Sequence, residues 1–157
     1  MRYTAMTPAR LRRLMNWWPP MLFSGIRVEH VDDEWREARV RLKLRRWNRN
    51  YVGTAFGGSL FAMTDPFFMI LMMNRVGRDY IVWDRAGEIR FVTPGRTDVT
   101  AHITLSDAQV AAFRAAADAG DKHLEWFSVD VVGTDGTVVA TVRKQLYIRR
   151  KERLTRR

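Results

Sequence analysis

One acidic residue, Asp65, stands alone in the stretch NRNYVGTAFGGSLFAMTDPFFM, which runs from Asn48 to Met69. Burying an unpaired carboxylate among apolar side chains is costly, so this group is expected to be bonded, to line a cavity, or to take part in a reaction. A desolvated carboxylate is a strengthened base that can hold a water molecule and remove its proton. The sequence therefore points to Asp65 as a candidate general base.

Two adjacent glycines, Gly57 and Gly58, precede this carboxylate and open a predicted helix. The free backbone N–H groups at a helix start favour a developing oxyanion, and a residue without a side chain lets an acyl carbon approach closely. The amide of Asn50 would add a second donor. Asparagine also forms turns by bonding its own backbone, so both roles are open for Asn50.

The helix that carries these residues is predicted to run from Gly57 to Val76. It is apolar on nearly every face, which is typical of a helix surrounded by protein. Pro66 removes the hydrogen bond to the Ala62 carbonyl and predicts a kink next to Asp65. The kink either shapes a site around the carboxylate or only bends the helix to follow a sheet.

The remaining pattern predicts an α+β protein with six antiparallel strands. An N-terminal helix begins at Thr7-Pro8 and ends at Pro19-Pro20, and a short helix lies between Ser106 and Gly120. Apolar alternation and turn signals predict strands at 26–31, 38–44, 80–92, 98–105, 124–132 and 137–148. This order indicates a sheet wrapped around one long apolar helix, with two extra helices.

Composition limits the class of protein. The 157 residues suit one domain, and the absence of cysteine excludes disulfides and thiolate metal sites. The net charge is +10, of which residues 1–25 carry +4 and residues 149–157 carry +5. The nearly neutral middle disfavours nucleic-acid binding, and no apolar run is long enough for a membrane span. A cytoplasmic protein is expected.

The segment NYVGTAFGGSLFAMTD resembles the N-x-x-G-x-x-H-G-G-x(6)-D signature of hotdog-fold acyl-CoA thioesterases, in the PaaI-like branch. Asn50, Gly53, the glycine pair and Asp65 match at their spacing, and EIRFVTPGRTDVTAHITL resembles the strand-turn-strand that follows the helix. Phe56 stands where the signature has histidine. The chain most resembles a domain-of-unknown-function group within this superfamily that carries GxxFGGSL.

The resemblance implies a hotdog domain over residues 26–148. The helical pattern and the charge distribution predict an N-terminal helical extension over 1–25 and a basic tail over 149–157. It implies hydrolysis of an acyl-CoA or acyl-carrier thioester in a homodimer or homotetramer. Asp84 is expected to approach Asp65 of a second copy, or else to pair with Arg85 at the surface. Dehydration or decarboxylation of a thioester, and binding of an acyl thioester or fatty acid without turnover, are alternatives.

Phe56, Gly58 and Met69 are the predicted substrate-binding residues. Met69 belongs to a cluster of methionines that either fills the core or forms an adaptable acyl pocket. The three histidines, His30, His102 and His123, do not have metal-ligand spacing, so no metal and no cofactor are expected. The basic tail is either a solvated end or a contact for anions such as CoA phosphates, an acidic carrier protein or anionic lipid.

Overall fold

The computed structural model describes residues 6–120 and 122–151, which form one six-stranded sheet and five α-helices. The strands are β1 Ile26–Val31, β2 Glu37–Leu42, β3 Tyr80–Phe91, β4 Val99–Thr104, β5 His123–Gly133 and β6 Val138–Arg150. The helices are α1 Pro8–Trp17, α2 Pro19–Ser24, α3 Gly57–Ala62, α4 Phe67–Val76 and α5 Asp107–Ala119. All six predicted strands are confirmed, with boundaries that differ by at most two residues.

The sheet is antiparallel throughout, with the strand order β1-β2-β4-β5-β6-β3. Strands β5 and β6 form the predicted hairpin, and β6 also pairs along its length with β3. Strand β3 is therefore an edge strand, and in a single chain one row of its backbone groups has no strand partner.

Strand β2 shows the alternation of buried and solvent-facing side chains that its sequence predicts. Val40 and Leu42 are buried, as the period-2 pattern predicts, while Arg39 is exposed and Arg41 forms an ion pair with Glu29. Because successive side chains of a strand point to opposite faces, one face of β2 joins the core and the other meets water.

The helix predicted from Gly57 to Val76 is not continuous. Residues 63–66 form a turn between α3 and α4, so the expectation of one long helix is wrong. The cause is Pro66, which has no N–H group to donate to the Ala62 carbonyl. That carbonyl accepts instead from the Asp65 N–H at 3.3 Å, and Thr64 Oγ1 donates to the Phe61 carbonyl at 2.8 Å.

Helix α4 fills the centre of the core. Five of its side chains are buried: Phe67, Phe68, Leu71, Met72 and Val76. The Phe68 ring lies 5.7 Å from the ring of Phe127 on β5, which in turn meets Phe113 of α5. Met63 and Met72 belong to this core, whereas Met69 and Met73 are only partly buried at its edge.

The two chain ends differ from expectation in detail. Thr7 caps α1 as predicted, by accepting from the Arg10 N–H, but the double proline that ends α1 also begins α2, which was not predicted. Proline is tolerated at the first helical position because the N–H there needs no partner. Strand β6 continues to Arg150, which pairs with Asp118 at 3.3 Å. Residues 152–157 of the predicted tail lie outside the described residues.

Within residues 6–120 and 122–151, no helix is long and apolar enough to cross a membrane.

We expect Leu71→Ala to lower the free energy of unfolding by about 2–5 kcal/mol, because it leaves a cavity among buried apolar side chains. Leu71 is 1% exposed. Leu14→Ala is the matched control, since Leu14 on α1 is 48% exposed and its removal should cost about 0.5 kcal/mol or less. Urea unfolding followed by circular dichroism measures both, and equal losses would show that α4 does not anchor the core.

Candidate active site

Asp65 lies in the turn between α3 and α4, and its side chain is 53% exposed. Lys144 of β6 donates a hydrogen bond to it, with Nζ 2.6 Å from Asp65 Oδ1. The lysine side chain is only 4% exposed. The isolated carboxylate of the sequence is therefore paired with a buried ammonium, and its second oxygen has no side-chain donor among the described residues.

Lys144 was missed by the sequence analysis, although the sequence contains a signal for it. Val142, Leu146 and Ile148 are buried on the core face of β6, and Lys144 occupies the same face at the same period of two. A lysine in a core-facing position must meet an opposite charge or lose its own. That pattern indicates a buried partner for Lys144 without identifying which carboxylate it is.

Asp84 is the second carboxylate at this lysine. Its Oδ1 lies 3.7 Å from Lys144 Nζ, which is an ion pair but too long for a hydrogen bond, and that oxygen is buried with no donor. Asp84 lies opposite Leu146 on β3, so it shares the core face with Lys144. Its ion partner is Lys144 rather than Arg85, which lies in a β-bulge. Within one chain, Asp65 and Asp84 already share one ammonium.

Burial raises the pKa of Asp84 from an ordinary 3.8 to about 6. The ammonium of Lys144 opposes this rise, and the negative charge of Asp65 adds to it. The pKa of Asp84 therefore lies close to neutral pH, as the pKa values of groups at functional sites often do.

Gly87 makes room for this cluster. It pairs with Lys144 across β3 and β6, and a Cβ there would lie 2.6 Å from Phe61 Cζ and 3.4 Å from Lys144 Cδ. The Lys144 ammonium lies 5.0 Å from the centre of the Phe61 ring, a cation–π distance. The Phe61 ring therefore packs against the Lys144 ammonium in the space left by the missing side chain of Gly87.

The glycine pair lies at the start of α3, where Phe56 is the N-cap and makes no side-chain capping bond. A Cβ on Gly57 would lie 2.7 Å from Phe91 Cζ, and one on Gly58 would lie 2.5 Å from Phe56 Cε1. Both aromatic rings are more than half exposed. The two glycines are thus bordered by apolar rings that remain open to solvent in a single chain.

Asn50 forms a turn. Its Oδ1 accepts from the Thr54 N–H at 3.0 Å, and its Nδ2 donates to Thr54 Oγ1 at 2.9 Å. Gly53 in the same turn has φ +80°, a left-handed conformation that favours glycine. These contacts favour the turn-forming interpretation of Asn50 over its interpretation as an oxyanion donor.

Two surface depressions flank the sheet. The smaller, about 260 Å³, includes Phe56 and Ser59 together with Phe23 and Trp47, but does not reach Asp65. The larger, about 510 Å³, lies beside Arg36 and contains none of the predicted site residues. In the described residues, no group of three or more histidine, aspartate or glutamate side chains is arranged to hold a metal ion.

The fold is that of the hotdog class, as solved structures show. The protein of unknown function PA5026 from Pseudomonas aeruginosa, a probable thioesterase, matches with a TM-score of 0.80 and 20% identity, over 94% of this chain and 100% of that one. Thioesterase HI1161 from Haemophilus influenzae gives 0.67 and 13%, over 98% and 97%. The PaaI protein of the E. coli phenylacetic acid degradation operon gives 0.60 and 16%, over 90% and 91%.

The chain belongs to the family described as a domain of unknown function, DUF4442, which matches residues 8–148. No curated protein sequence matches significantly. The predicted hotdog fold is confirmed, and so is the resemblance to its superfamily. The family match begins in α1, ahead of the sheet, and the proposed division of the chain at residues 25 and 148 stays a prediction.

The pH dependence of stability tests the environment of Asp84, whose side chain is partly buried and 24% exposed. Because its folded pKa of about 6 exceeds its unfolded value of 3.8, the folded protein binds more protons between these values. The free energy of unfolding should therefore fall as the pH rises through this window. Asp84→Asn removes this contribution, so the stability of the variant relative to wild type should rise by about 2 kcal/mol between pH 4 and pH 7.

Urea unfolding at a series of pH values measures this difference. Glu88→Gln, which removes an exposed carboxylate from the same strand, is the control. A difference in the free energy of unfolding between Asp84→Asn and wild type that stays constant with pH would contradict the raised pKa of Asp84.

Proposed function

We propose that this protein hydrolyses an acyl thioester of coenzyme A or of an acyl-carrier protein, with Asp65 as the general base. The observation that carries the proposal is the Asp65 carboxylate. It is held by one oxygen, open at the other, and placed in the turn that follows the glycine-led helix α3. Among the structures that share the fold, HI1161 is described as a thioesterase and PA5026 as a probable thioesterase, which supports this class of reaction.

In the proposed reaction, a water molecule bonds to the free oxygen of Asp65 and loses a proton to it as the water oxygen attacks the thioester carbon. The carbonyl oxygen becomes an oxyanion, which accepts from the backbone N–H groups of Gly57 and Gly58. The carbon–sulfur bond then breaks, and the thiolate takes the proton from Asp65. Helix α3 has only six residues, so these donors act as individual N–H groups more than through a helix dipole.

Phe56 and Phe91 are assigned to the acyl group. Their half-exposed rings border the glycines and offer apolar surface next to the proposed oxyanion donors. Met69, partly buried on α4, is a further candidate contact for the acyl chain. In this proposal Asn50 shapes the loop that carries Phe56, since its amide is bonded within that loop.

Replacing the base tests the proposal directly. Asp65→Asn should lower the rate of hydrolysis by about 10²–10⁴-fold, because the amide cannot take the proton from water. A panel of acyl-CoA thioesters, assayed for free thiol with a chromogenic disulfide, measures the rate. Asp130→Asn on the exposed face of β5 is the matched control and should keep the wild-type rate. A wild-type rate in Asp65→Asn would show that Asp65 is not the base.

The distance between donor and base supports a site completed by a second copy. Gly57 opens α3 and Asp65 lies three positions after its last residue, so this six-residue helix, about 9 Å long, lies between the donors and the base. A thioester carbonyl held by the donors would therefore lie away from the base of the same chain. A homo-oligomer in which Asp65 of one chain faces Gly57 of another would bring them together, and the unpaired edge of β3 offers a surface for this contact.

Light scattering should therefore show at least a dimer at micromolar concentration, and a single 18.4 kDa species would contradict the proposal.

Mixing two inactive variants tests whether the site is shared. Asp65→Asn combined with Gly57→Val should recover about one quarter of the wild-type activity, because half of randomly paired dimers would be mixed and each would hold one intact site. No recovery in verified mixed dimers would show that each chain carries its own complete site.

Binding without turnover is the second candidate. The ion pair of Asp65 with Lys144 occupies one oxygen of the carboxylate, and Phe56 stands where the related signature has histidine. Native mass spectrometry discriminates between the two: a co-purified acyl thioester that persists without release of free thiol favours the binding function.

A further inference from the structure

Lys144 is not explained by the needs of the sheet. Its neighbours on the same face of β6 are apolar, so an apolar side chain at this position would continue that face. Transferring an ammonium group out of water costs several kcal/mol even after relaxation. The presence of a lysine at this position must therefore be explained by its two carboxylate partners.

The two partners are held at unequal distances. Lys144 Nζ is 2.6 Å from Asp65 Oδ1, a strong charge-assisted hydrogen bond, and 3.7 Å from Asp84 Oδ1. The Asp84 oxygen is buried and has no donor. A movement of about 1 Å by the ammonium would give that oxygen a hydrogen bond of ordinary length. The geometry thus contains a vacant acceptor beside an occupied one.

We propose that Lys144 is a positioning residue for Asp65, and that it passes its hydrogen bond to Asp84 when Asp65 takes up a proton. This role rests on the proposed function of Asp65 as a base. In the resting site, Lys144 fixes one oxygen of Asp65 and directs the other at the attacking water. Asp84 then receives the ammonium while Asp65 is neutral, so that the buried lysine always has an ionised partner.

The charges balance at each step. The water proton moves to the free oxygen of Asp65, and the water oxygen bonds to the thioester carbon. Lys144 keeps its protons throughout and changes only its acceptor, from Asp65 Oδ1 to Asp84 Oδ1. When the thiolate leaves and takes the proton from Asp65, the carboxylate reforms and Lys144 returns to it. At pH 7 Asp84 is largely ionised and can act as the acceptor, because its pKa is about 6.

Steady-state kinetics on three variants tests this role. Lys144→Gln should lower kcat by about 100-fold while KM for the acyl-CoA substrate changes by less than about threefold, because only an interaction needed in the transition state is lost. Lys144→Arg, which keeps the charge, should have a kcat at least about tenfold higher than that of Lys144→Gln. Asp84→Asn should lower kcat by about tenfold, because an amide is a weaker acceptor for the ammonium. Lys122→Gln, at an exposed position, is the control.

A second measurement needs no substrate. The side-chain carboxyl signal of Asp84, followed by ¹³C NMR against pH, should titrate near 6 in the wild type. Lys144→Gln should move this midpoint to higher pH because a nearby cation is removed. Asp65→Asn should move it to lower pH because a like charge is removed. The opposite directions separate a shared ammonium from a general loss of structure, and Lys144→Arg extends the test if Lys144→Gln does not fold.

Three outcomes would overturn the role of Lys144. If the wild type hydrolyses a thioester and Lys144→Gln keeps its kcat, Asp65 remains the base and Lys144 has no part in its positioning. If the midpoint of Asp84 moves in neither variant, the three groups are not coupled. If the wild type hydrolyses no thioester although the midpoint moves as expected, the proposed function fails and the role falls with it.

Discussion

A buried ammonium is stable only where carboxylates meet it, and in this protein that requirement joins three separate elements. Lys144 belongs to the central part of β6, Asp84 to the edge strand β3, and Asp65 to the turn between α3 and α4. Removing either partner would leave a charge in the core that is compensated less fully, which costs far more than a surface ion pair returns. The cluster therefore fixes the helix pair against the sheet at the point where the proposed chemistry occurs.

Two local features allow the cluster to form. Pro66 interrupts the helix, which places Asp65 in a turn where its carboxylate meets both Lys144 and solvent. Gly87 leaves the space in which the Phe61 ring and the Lys144 side chain lie side by side. A Cβ at position 87 would lie only 2.6 Å from Phe61 Cζ, so the ring would have to shift. The arrangement thus depends on one residue that cannot donate a hydrogen bond and on another that has no side chain.

The sequence was sufficient for the strands and most helix boundaries, because these follow from period-2 alternation and from caps such as Thr7 and Ser106. It located Asp65 and the glycine pair but not their surroundings. Lys144 is 79 residues from Asp65, and contacts of that range are set by strand order and register, which local patterns do not encode. The break at 63–66 was underestimated as a kink, since propensity alone does not determine whether a proline bends or divides a helix.

Helix α3 also separates the base from the proposed donors within one chain. Asp65 lies in the turn after its end, the glycines lie at its start, and the aromatic rings beside those glycines face solvent. Burial of these apolar rings against a second surface would be favourable, because their apolar area would no longer be in contact with water. A second surface that also reached Asp65 would exclude water from its free oxygen and leave the charge on Lys144 more dependent on Asp84. Assembly and chemistry would therefore act on the same three charged groups.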